Sequence, residues 1–182
     1  MTGYIALLRG INVGGNNIVK MEELRAALAS NGLSRVRTYI QSGNIVCETS
    51  DGSEEKVREI VAETLRSMLE KPIAVLVRSF EELERIMAAC PYEVHSSEEG
   101  KQVMLALLQE AIPQEKLDAA LAGGPGGDAG DDEYTAGERE VYFRFRRKVS
   151  ESPLGDRMLK LGGGVTTRNW NTMRKLLEMS RE

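Results

Sequence analysis

Short apolar runs and helical stripes alternate along the first half of the chain. Tyr4–Leu8 is a continuous apolar run, typical of a buried strand. Apolar side chains recur at helical spacing from Met21 to Leu28 and again from Val57 to Leu69. Shorter apolar runs predict three more strands: Val36–Ile40, Ile45–Glu48 and Ile73–Val77. The resulting order, βαββαβ, is the ferredoxin-like pattern, in which an antiparallel sheet carries both helices on one face.

The second half of the chain has a less regular pattern. Its predicted elements are, in order, a helix capped by Ser79, a strand at Val103–Leu108, a helix after Pro113, a strand at Val141–Phe145, a helix capped by Ser152 and a terminal helix around Trp170 and Met173. Residues 123–137 are rich in glycine and acids, so we expect a mobile loop that merges into a strand near Tyr134. The sequence predicts an α+β protein, with a ferredoxin-like subdomain at 1–78 and a second, smaller α+β subdomain packed on it at 79–182.

Composition narrows the class of protein. With 41% hydrophobic residues, the 182-residue chain can form a packed core, which excludes a disordered protein. No apolar run approaches the roughly 20 residues that cross a bilayer, and no basic stretch precedes an apolar signal core. We therefore expect a cytoplasmic protein with no membrane partner.

Residues that bind metals or form disulfides are scarce. Cys47, Cys90 and His95 are the whole complement of cysteine and histidine. They are too few for a disulfide framework or a four-ligand zinc site. The sequence predicts no metal site and indicates no particular cofactor, and it leaves the oligomeric state open.

Charge is distributed unevenly around a net value of −4. Residues 1–47 carry five basic and two acidic side chains, residues 48–138 carry eight and 21, and residues 139–182 carry eleven and five. Basic ends around an acidic middle can mark a localised anion site. The alternative, which the sequence leaves open, is that the ends pair with the middle and neutralise the surface.

The first of three polar segments, Arg9–Asn17, joins the first strand to the first helix. Glycines let a backbone approach a ligand closely, and amide groups ahead of a helix bind anions. The spacing fits neither a P-loop nor GxGxxG, so a structural turn stays open beside an anion cradle. The donors available to an anion are the side chains of Arg9, Asn12 and Lys20 and the backbone at Gly14 and Gly15.

The second polar segment is Tyr39–Asn44, between two predicted strands. Ser42, Gly43 and Asn44 suit the backbone geometry of a hairpin turn, which is the favoured interpretation. The amide of Gln41 exceeds what a turn requires. Gln41 is therefore a candidate ligand-binding residue.

The third polar segment, Gly162–Thr172, precedes and opens the terminal helix. We expect Thr166 or Thr167 to cap that helix and Trp170 to pack in the core. A cation in the first turn opposes the helix dipole by about 0.3–1 kcal/mol unless an anion lies beside it. Arg168 and Asn169 are therefore predicted to bind a phosphate or carboxylate, with an internal acid as the alternative partner of Arg168.

These three segments also carry a family resemblance. Three stretches resemble the signatures of one bacterial family, the domain-of-unknown-function family DUF1697. They are Leu7–Gly15 (LLRGINVGG), Tyr39–Asn44 (YIQSGN) and Thr166–Thr172 (TTRNWNT). The likeness extends over essentially the whole chain in the same order. It implies two α+β subdomains, the first ferredoxin-like. It implies no activity and no catalytic residues, because the family is named for lacking a known function.

The favoured function is the binding of a small anionic ligand, such as a nucleotide or another phosphorylated metabolite. We expect the first and third segments to converge, so that Arg9 and Arg168 attract the same negative charge. The first alternative is an enzyme acting on a nucleotide or phosphorylated metabolite, although His95 has no clear partner for proton transfer. The second is a module for single-stranded nucleic acid using Trp170 and Tyr142, which a pI near 5.3 disfavours.

Overall fold

The computed structural model describes residues 1–122, 131–162 and 164–182, so most of the predicted mobile loop at 123–137 lies outside the described residues. The chain divides into two compact units. The first unit is Met1–Arg85 with Lys175–Glu182, and the second unit is Ile86–Arg174. The boundary at residues 78 and 79, as the limit of two subdomains, stays a prediction.

The first unit contains a four-stranded antiparallel sheet and two helices between its strands. In chain order its elements are β1 (Thr2–Leu8), α1 (Met21–Ser30), β2 (Ser34–Tyr39), β3 (Asn44–Thr49), α2 (Glu54–Leu69) and β4 (Val75–Ser79). The strands lie in the order β2–β3–β1–β4. The order of strands and helices is consistent with a ferredoxin-like fold.

The core of the first unit lies between the sheet and its helices. Alternate residues of β1 point into it because side chains of a strand alternate between faces. The buried members from the strands and helices include Tyr4, Ala6, Leu8, Leu24, Leu28, Ile45, Cys47, Val57, Val61 and Leu65. The last residues of the chain join this unit at β2, where Arg37 Nη1 donates to Glu182 Oε2 at 2.7 Å.

The second unit is built on another four-stranded antiparallel sheet. Its elements are α4 (Ser97–Gln102), β5 (Val103–Leu108), α5 (Gln114–Leu121), β6 (Glu133–Ala136), β7 (Glu140–Arg144), a 3-10 turn (Val149–Glu151), α6 (Pro153–Leu159) and β8 (Val165–Asn169). The strands lie in the order β6–β7–β5–β8. Two further helices, α3 (Phe80–Ala88) and α7 (Trp170–Ser180), each contribute residues to both units.

The second unit repeats the strand order of the first and the register in which its first strand pairs with both neighbours. Strands β5, β6, β7 and β8 correspond to β1, β2, β3 and β4. Leu8 is opposite Val75 in the first unit, as Leu108 is opposite Val165 in the second. Backbone hydrogen bonds repeat as well. The amide of Leu8 donates to Gly43 O at 2.8 Å, and that of Leu108 donates to Arg139 O at 2.8 Å.

The sequence does not predict β8, and this hides the repeat. Gly162 and Gly164 indicate a turn, and polar residues follow them, so the segment resembles a helix cap. In the structure, Val165–Asn169 pairs along β5 as its antiparallel edge partner. The β-branched residues Val165, Thr166 and Thr167 fit a half-buried pleated strand, which accounts for this outcome.

Candidate functional site

Residues 9–20, called loop 9–20 below, connect β1 to α1 and are folded into a small hairpin. The amide of Asn12 donates to Asn17 O at 3.1 Å, and that of Asn16 donates to Val13 O at 3.0 Å. Gly14 and Gly15 form the tip with φ of 57° and 77°, the left-handed pair that a type I′ turn requires. The tip is exposed, and a Cβ on either glycine would meet nothing within 4 Å.

The side chain of Asn12 organises this loop. Its Nδ2 donates to Val19 O at 3.0 Å and to Gln41 O at 2.8 Å, while its Oδ1 accepts from Val19 N at 2.8 Å. The carboxamide of Asn12 thus links both ends of the loop to the neighbouring turn. Its three hydrogen bonds lie within the protein, so Asn12 positions the loop.

The second polar segment, Tyr39–Asn44, contains the turn between β2 and β3. Residues 40–43 form a hairpin turn, as predicted. Asn44 is buried and donates from Nδ2 to Tyr39 O and Ser42 Oγ, each at 3.0 Å. Gln41 contributes its backbone oxygen to Asn12, and its side chain is exposed. Two of the three polar segments therefore meet at one end of the first unit.

Left-handed backbone conformations concentrate in these two segments. Among the described residues, they hold Asn12, Asn17 and Ile40 at φ of 54°, 51° and 50°, together with four left-handed glycines. Asparagine tolerates this region, but a β-branched isoleucine there is strained. Such strain is common where a binding site imposes its own geometry.

Two cationic side chains, Arg9 and Lys20, lie at the two ends of loop 9–20. Arg9 is exposed, and its amide donates to Ala74 O at 3.1 Å. Lys20 is exposed immediately before α1, with Nζ 3.0 Å from Oε1 of Glu23. Because Glu22 and Glu23 occupy the first turn of α1, the end of this helix already carries negative charge. Any attraction for an anion must come from the loop and its two cations.

The third polar segment is in the second unit and differs from its predicted structure. Thr166 and Thr167 lie in β8, so neither caps α7; Asn169 does so, accepting from Thr172 N at 2.9 Å. Arg168 is also in β8, outside the first turn of the helix. Its Nη1 donates to Thr167 O at 2.8 Å. Trp170 is half-buried, whereas core packing was expected.

Arg168 remains a cation at neutral pH. Burial lowers the pKa of its guanidinium to about 10, which is still well above 7. Its counterpart in the first unit is Arg78, which has the same bond, from Nη1 to Val77 O at 2.8 Å. This bond therefore belongs to the repeated fold and is no signature of a ligand site.

The described titratable groups do not form an evident catalytic set. Burial raises the pKa of the Cys47 thiol to about 12, and burial also raises the pKa of Cys90, so neither is a thiolate near pH 7. His95 is exposed with Nε2 3.3 Å from Oε2 of Glu93. Among residues 1–122, 131–162 and 164–182, no group of three or more metal-binding side chains is placed to hold an ion.

One part of the nucleic-acid alternative is wrong. Tyr142 was a candidate stacking residue, but it is buried and its hydroxyl donates to Ile86 O at 2.7 Å. A buried ring offers no face to a base. Arg144 lies over the ring of Tyr92, with Cζ 6.0 Å from the ring centroid.

Within the described part of the chain, no helix has the length and apolar character needed to cross a bilayer.

Comparisons with known proteins agree with the family resemblance. The structure resembles that of the conserved bacterial protein SP0830 from Streptococcus pneumoniae, with a TM-score of 0.76 and 26% sequence identity over 98% of each chain. A comparison with curated sequences gives no significant match. The model of a family described as a protein of unknown function, DUF1697, matches residues 1–142. The chain therefore belongs to the DUF1697 family.

Proposed function

We propose that this protein binds a small anionic ligand with a phosphate or carboxylate group, and that loop 9–20 forms the site. Arg9 and Lys20 supply the positive charge. Gly14 and Gly15 supply bare backbone that a ligand can approach closely. Asn12 and Gln41 hold the loop in position. Arg168 and Asn169 remain predicted binding residues of the second unit.

The observation that carries this proposal is an internal comparison of loop lengths. In the first unit, twelve residues, 9–20, connect the first strand to the first helix. In the second unit, five residues, 109–113, make the equivalent connection between β5 and α5. Connections of two to six residues are usual for such a junction. The fold does not need the additional residues, so a function for them is the better explanation.

The chemistry of the loop also supports an anion. From Arg9 to Lys20 the loop contains two cations and no acid. Charge-assisted hydrogen bonds from guanidinium or ammonium groups to phosphate are about twice as strong as neutral ones. Open space around Gly14 and Gly15 leaves room for an anion beside the backbone. These features favour binding over proton transfer, since the loop contains no histidine, cysteine or carboxylate.

The proposal is tested by titrating inorganic phosphate and acetate into the wild-type protein, with thermal unfolding and calorimetry as readouts. We expect either anion to raise the melting temperature. We expect Arg9→Gln and Lys20→Gln to weaken binding about tenfold each, since a hydrogen bond to a charged group contributes about 1.5–3 kcal/mol. Arg168→Gln tests the prediction for the second unit in the same assay.

Lys101→Gln is the matched control. Like Lys20, Lys101 is an exposed lysine paired with a glutamate three positions away, here Glu98 at 2.6 Å. This control should bind anions as the wild type does. If millimolar phosphate and acetate leave the wild type unaffected, or if Arg9→Gln and Lys20→Gln respond as the control does, the proposal is wrong.

A further inference from the structure

Three aliphatic side chains are exposed around loop 9–20. Val13 is 63% exposed, Ile18 is 62% exposed and Ile40 is 51% exposed. The remaining exposed large hydrophobic residues among those described are Met1 and Leu159. Three of the five exposed large hydrophobic residues in the described part of the chain therefore lie in loop 9–20 or in the turn bonded to it.

Hydrogen bonds of Asn12 hold these three residues near one another. Val13 follows Asn12 in the chain. Ile18 precedes Val19, which exchanges two hydrogen bonds with the Asn12 side chain. Ile40 precedes Gln41, whose backbone oxygen accepts a hydrogen bond from the same side chain. Neighbouring Cα atoms are about 3.8 Å apart, so each aliphatic residue is one residue step from the Asn12 network.

Turn chemistry does not explain the isoleucine at position 40. Position 40 has a φ of 50°, a conformation that glycine or asparagine adopts with less strain than isoleucine. Because this isoleucine side chain is half-exposed, the burial of its apolar surface stabilises the fold only partly against that strain. Scattered exposed hydrophobic residues are ordinary, but grouped ones mark interaction sites.

We infer that the ligand of loop 9–20 is an organic anion, with its phosphate or carboxylate attached to an apolar group that lies on Val13, Ile18 and Ile40. This inference rests on the proposed function. The cations Arg9 and Lys20 complement the charged end, and the three aliphatic side chains complement the apolar end. Inorganic anions would then be partial ligands, since they satisfy the charged contacts alone.

The test compares inorganic phosphate with butyl phosphate, and acetate with pentanoate, on the same protein by calorimetry. We expect the longer member of each pair to bind about tenfold more tightly, which corresponds to about 1.4 kcal/mol from partial burial of the alkyl chain. Val13→Ser and Ile18→Ser should remove most of this difference, which is measured within each variant as the ratio of the two affinities. Leu159→Ser, at an exposed leucine in the second unit, is the control and should retain the difference.

Each outcome has a distinct meaning. Binding of inorganic phosphate with no gain from the butyl group overturns this inference and leaves the proposed function intact. A gain that persists in Val13→Ser and Ile18→Ser also overturns it, because the alkyl group then lies elsewhere. Failure of all four anions to bind overturns the proposed function, and this inference with it. Binding of butyl phosphate without inorganic phosphate also overturns the proposed function, and this inference with it, because the charged contacts of loop 9–20 then contribute no affinity of their own.

Discussion

The two units have the same strand order and differ in what is attached to it. In both sheets the first strand pairs with its two neighbours in the same register, and equivalent amides bond equivalent carbonyls at the ends of β1 and β5. Both final strands end in a side chain that caps the following helix. Ser79 Oγ accepts from Glu82 N at 3.1 Å, and Asn169 Oδ1 accepts from Thr172 N at 2.9 Å. These shared contacts are what the fold requires.

The differences identify what the fold does not require. The first unit has a longer first connection, a longer second helix and a cluster of left-handed residues at one end. The second unit makes its first connection with five residues and its second helix with seven. A repeated fold thus provides its own reference, because the shorter connection or helix of one unit shows a length with which the same strand order forms. The features peculiar to one unit are the candidates for function.

The largest expected effect concerns the buried ion pair between Arg78 and Glu82 in the first unit, because the second unit has no acid at the position equivalent to Glu82. Arg78 is completely buried with Nε 3.2 Å from Oε1 of Glu82, whereas Thr172 occupies the position of Glu82 in the second unit. Arg78→Met leaves the largely buried Glu82 carboxylate with Arg85, 3.5 Å away, as a remaining cation. We expect a loss of about 3 kcal/mol in the free energy of unfolding, measured with urea, which is the lower end of what breaking a buried ion pair costs.

The double variant Arg78→Met with Glu82→Gln controls for lost packing. Because it removes both charges, it should lose less than half of what Arg78→Met loses. A double variant as unstable as the single one would show that the arginine contributes through packing rather than through the ion pair.

The next effect concerns a glycine that the second unit replaces with arginine. Gly43 has a φ of 82°, and a Cβ there would be 2.6 Å from Cβ of Leu8. Arg139 occupies the equivalent pairing position without a positive φ, in a turn of three residues rather than four, so the left-handed conformation belongs to the hairpin of the first unit. We expect Gly43→Ala to cost about 2–3 kcal/mol, from left-handed strain and from the clash with Leu8. Urea unfolding measures it.

Gly14→Ala is the matched control for that change. Gly14 is also left-handed, at 57°, but has open space around its Cβ position. It should therefore lose about 1–2 kcal/mol, from backbone strain alone. Equal losses for the two variants would contradict a steric role for Leu8.

The sequence predicts elements well where local pattern and burial agree. The helix at Met21 and the capped helices after Ser79 and Ser152 follow from spacing and capping residues that act within one turn. Strand β8 could not be predicted, since its place is decided by pairing with β5, about 60 residues earlier in the chain. Tertiary pairing overrode a local pattern that indicated a turn and a cap.

The candidate site was predictable in location but not in its internal roles. Polar residues and glycines indicated loop 9–20 and Gln41, yet nothing in the sequence shows that the Asn12 side chain would bond Gln41 O. The aliphatic residues at 13, 18 and 40 were missed because apolar residues are ordinarily assigned to the core. Ile18 and Ile40, next to turn residues, were the available signal.

A smaller effect separates the two cores by pH. Cys47 and Phe143 occupy equivalent core positions, opposite Tyr4 and Met104. Burial raises the pKa of Cys47 from 9.0 to about 12, so between these values the thiol ionises in the unfolded chain first and stability falls as pH rises. At pH 10 the expected loss is about 1.4 kcal/mol relative to pH 8.

Cys47→Ala isolates this contribution, because it removes the thiol and leaves every other titratable group in place. Its free energy of unfolding should fall less between pH 8 and pH 10 than that of the wild type, by about the same 1.4 kcal/mol. Parallel pH profiles for the two proteins would mean that Cys47 contributes nothing to alkaline unfolding.

The smallest effect is a gain in stability at the site itself. Ile40→Asn replaces a strained, half-exposed isoleucine with a residue that adopts the left-handed region more readily, so we expect about 0.5–1 kcal/mol of added stability by urea unfolding. Ile18→Asn changes another exposed isoleucine, whose φ is not positive, and it should give no such gain. If Ile40→Asn also loses part of the preference for butyl phosphate, position 40 gives up stability for binding, the usual relation at a functional site. A variant no more stable than Ile18→Asn would mean that the left-handed isoleucine at position 40 stores no strain that asparagine can relieve.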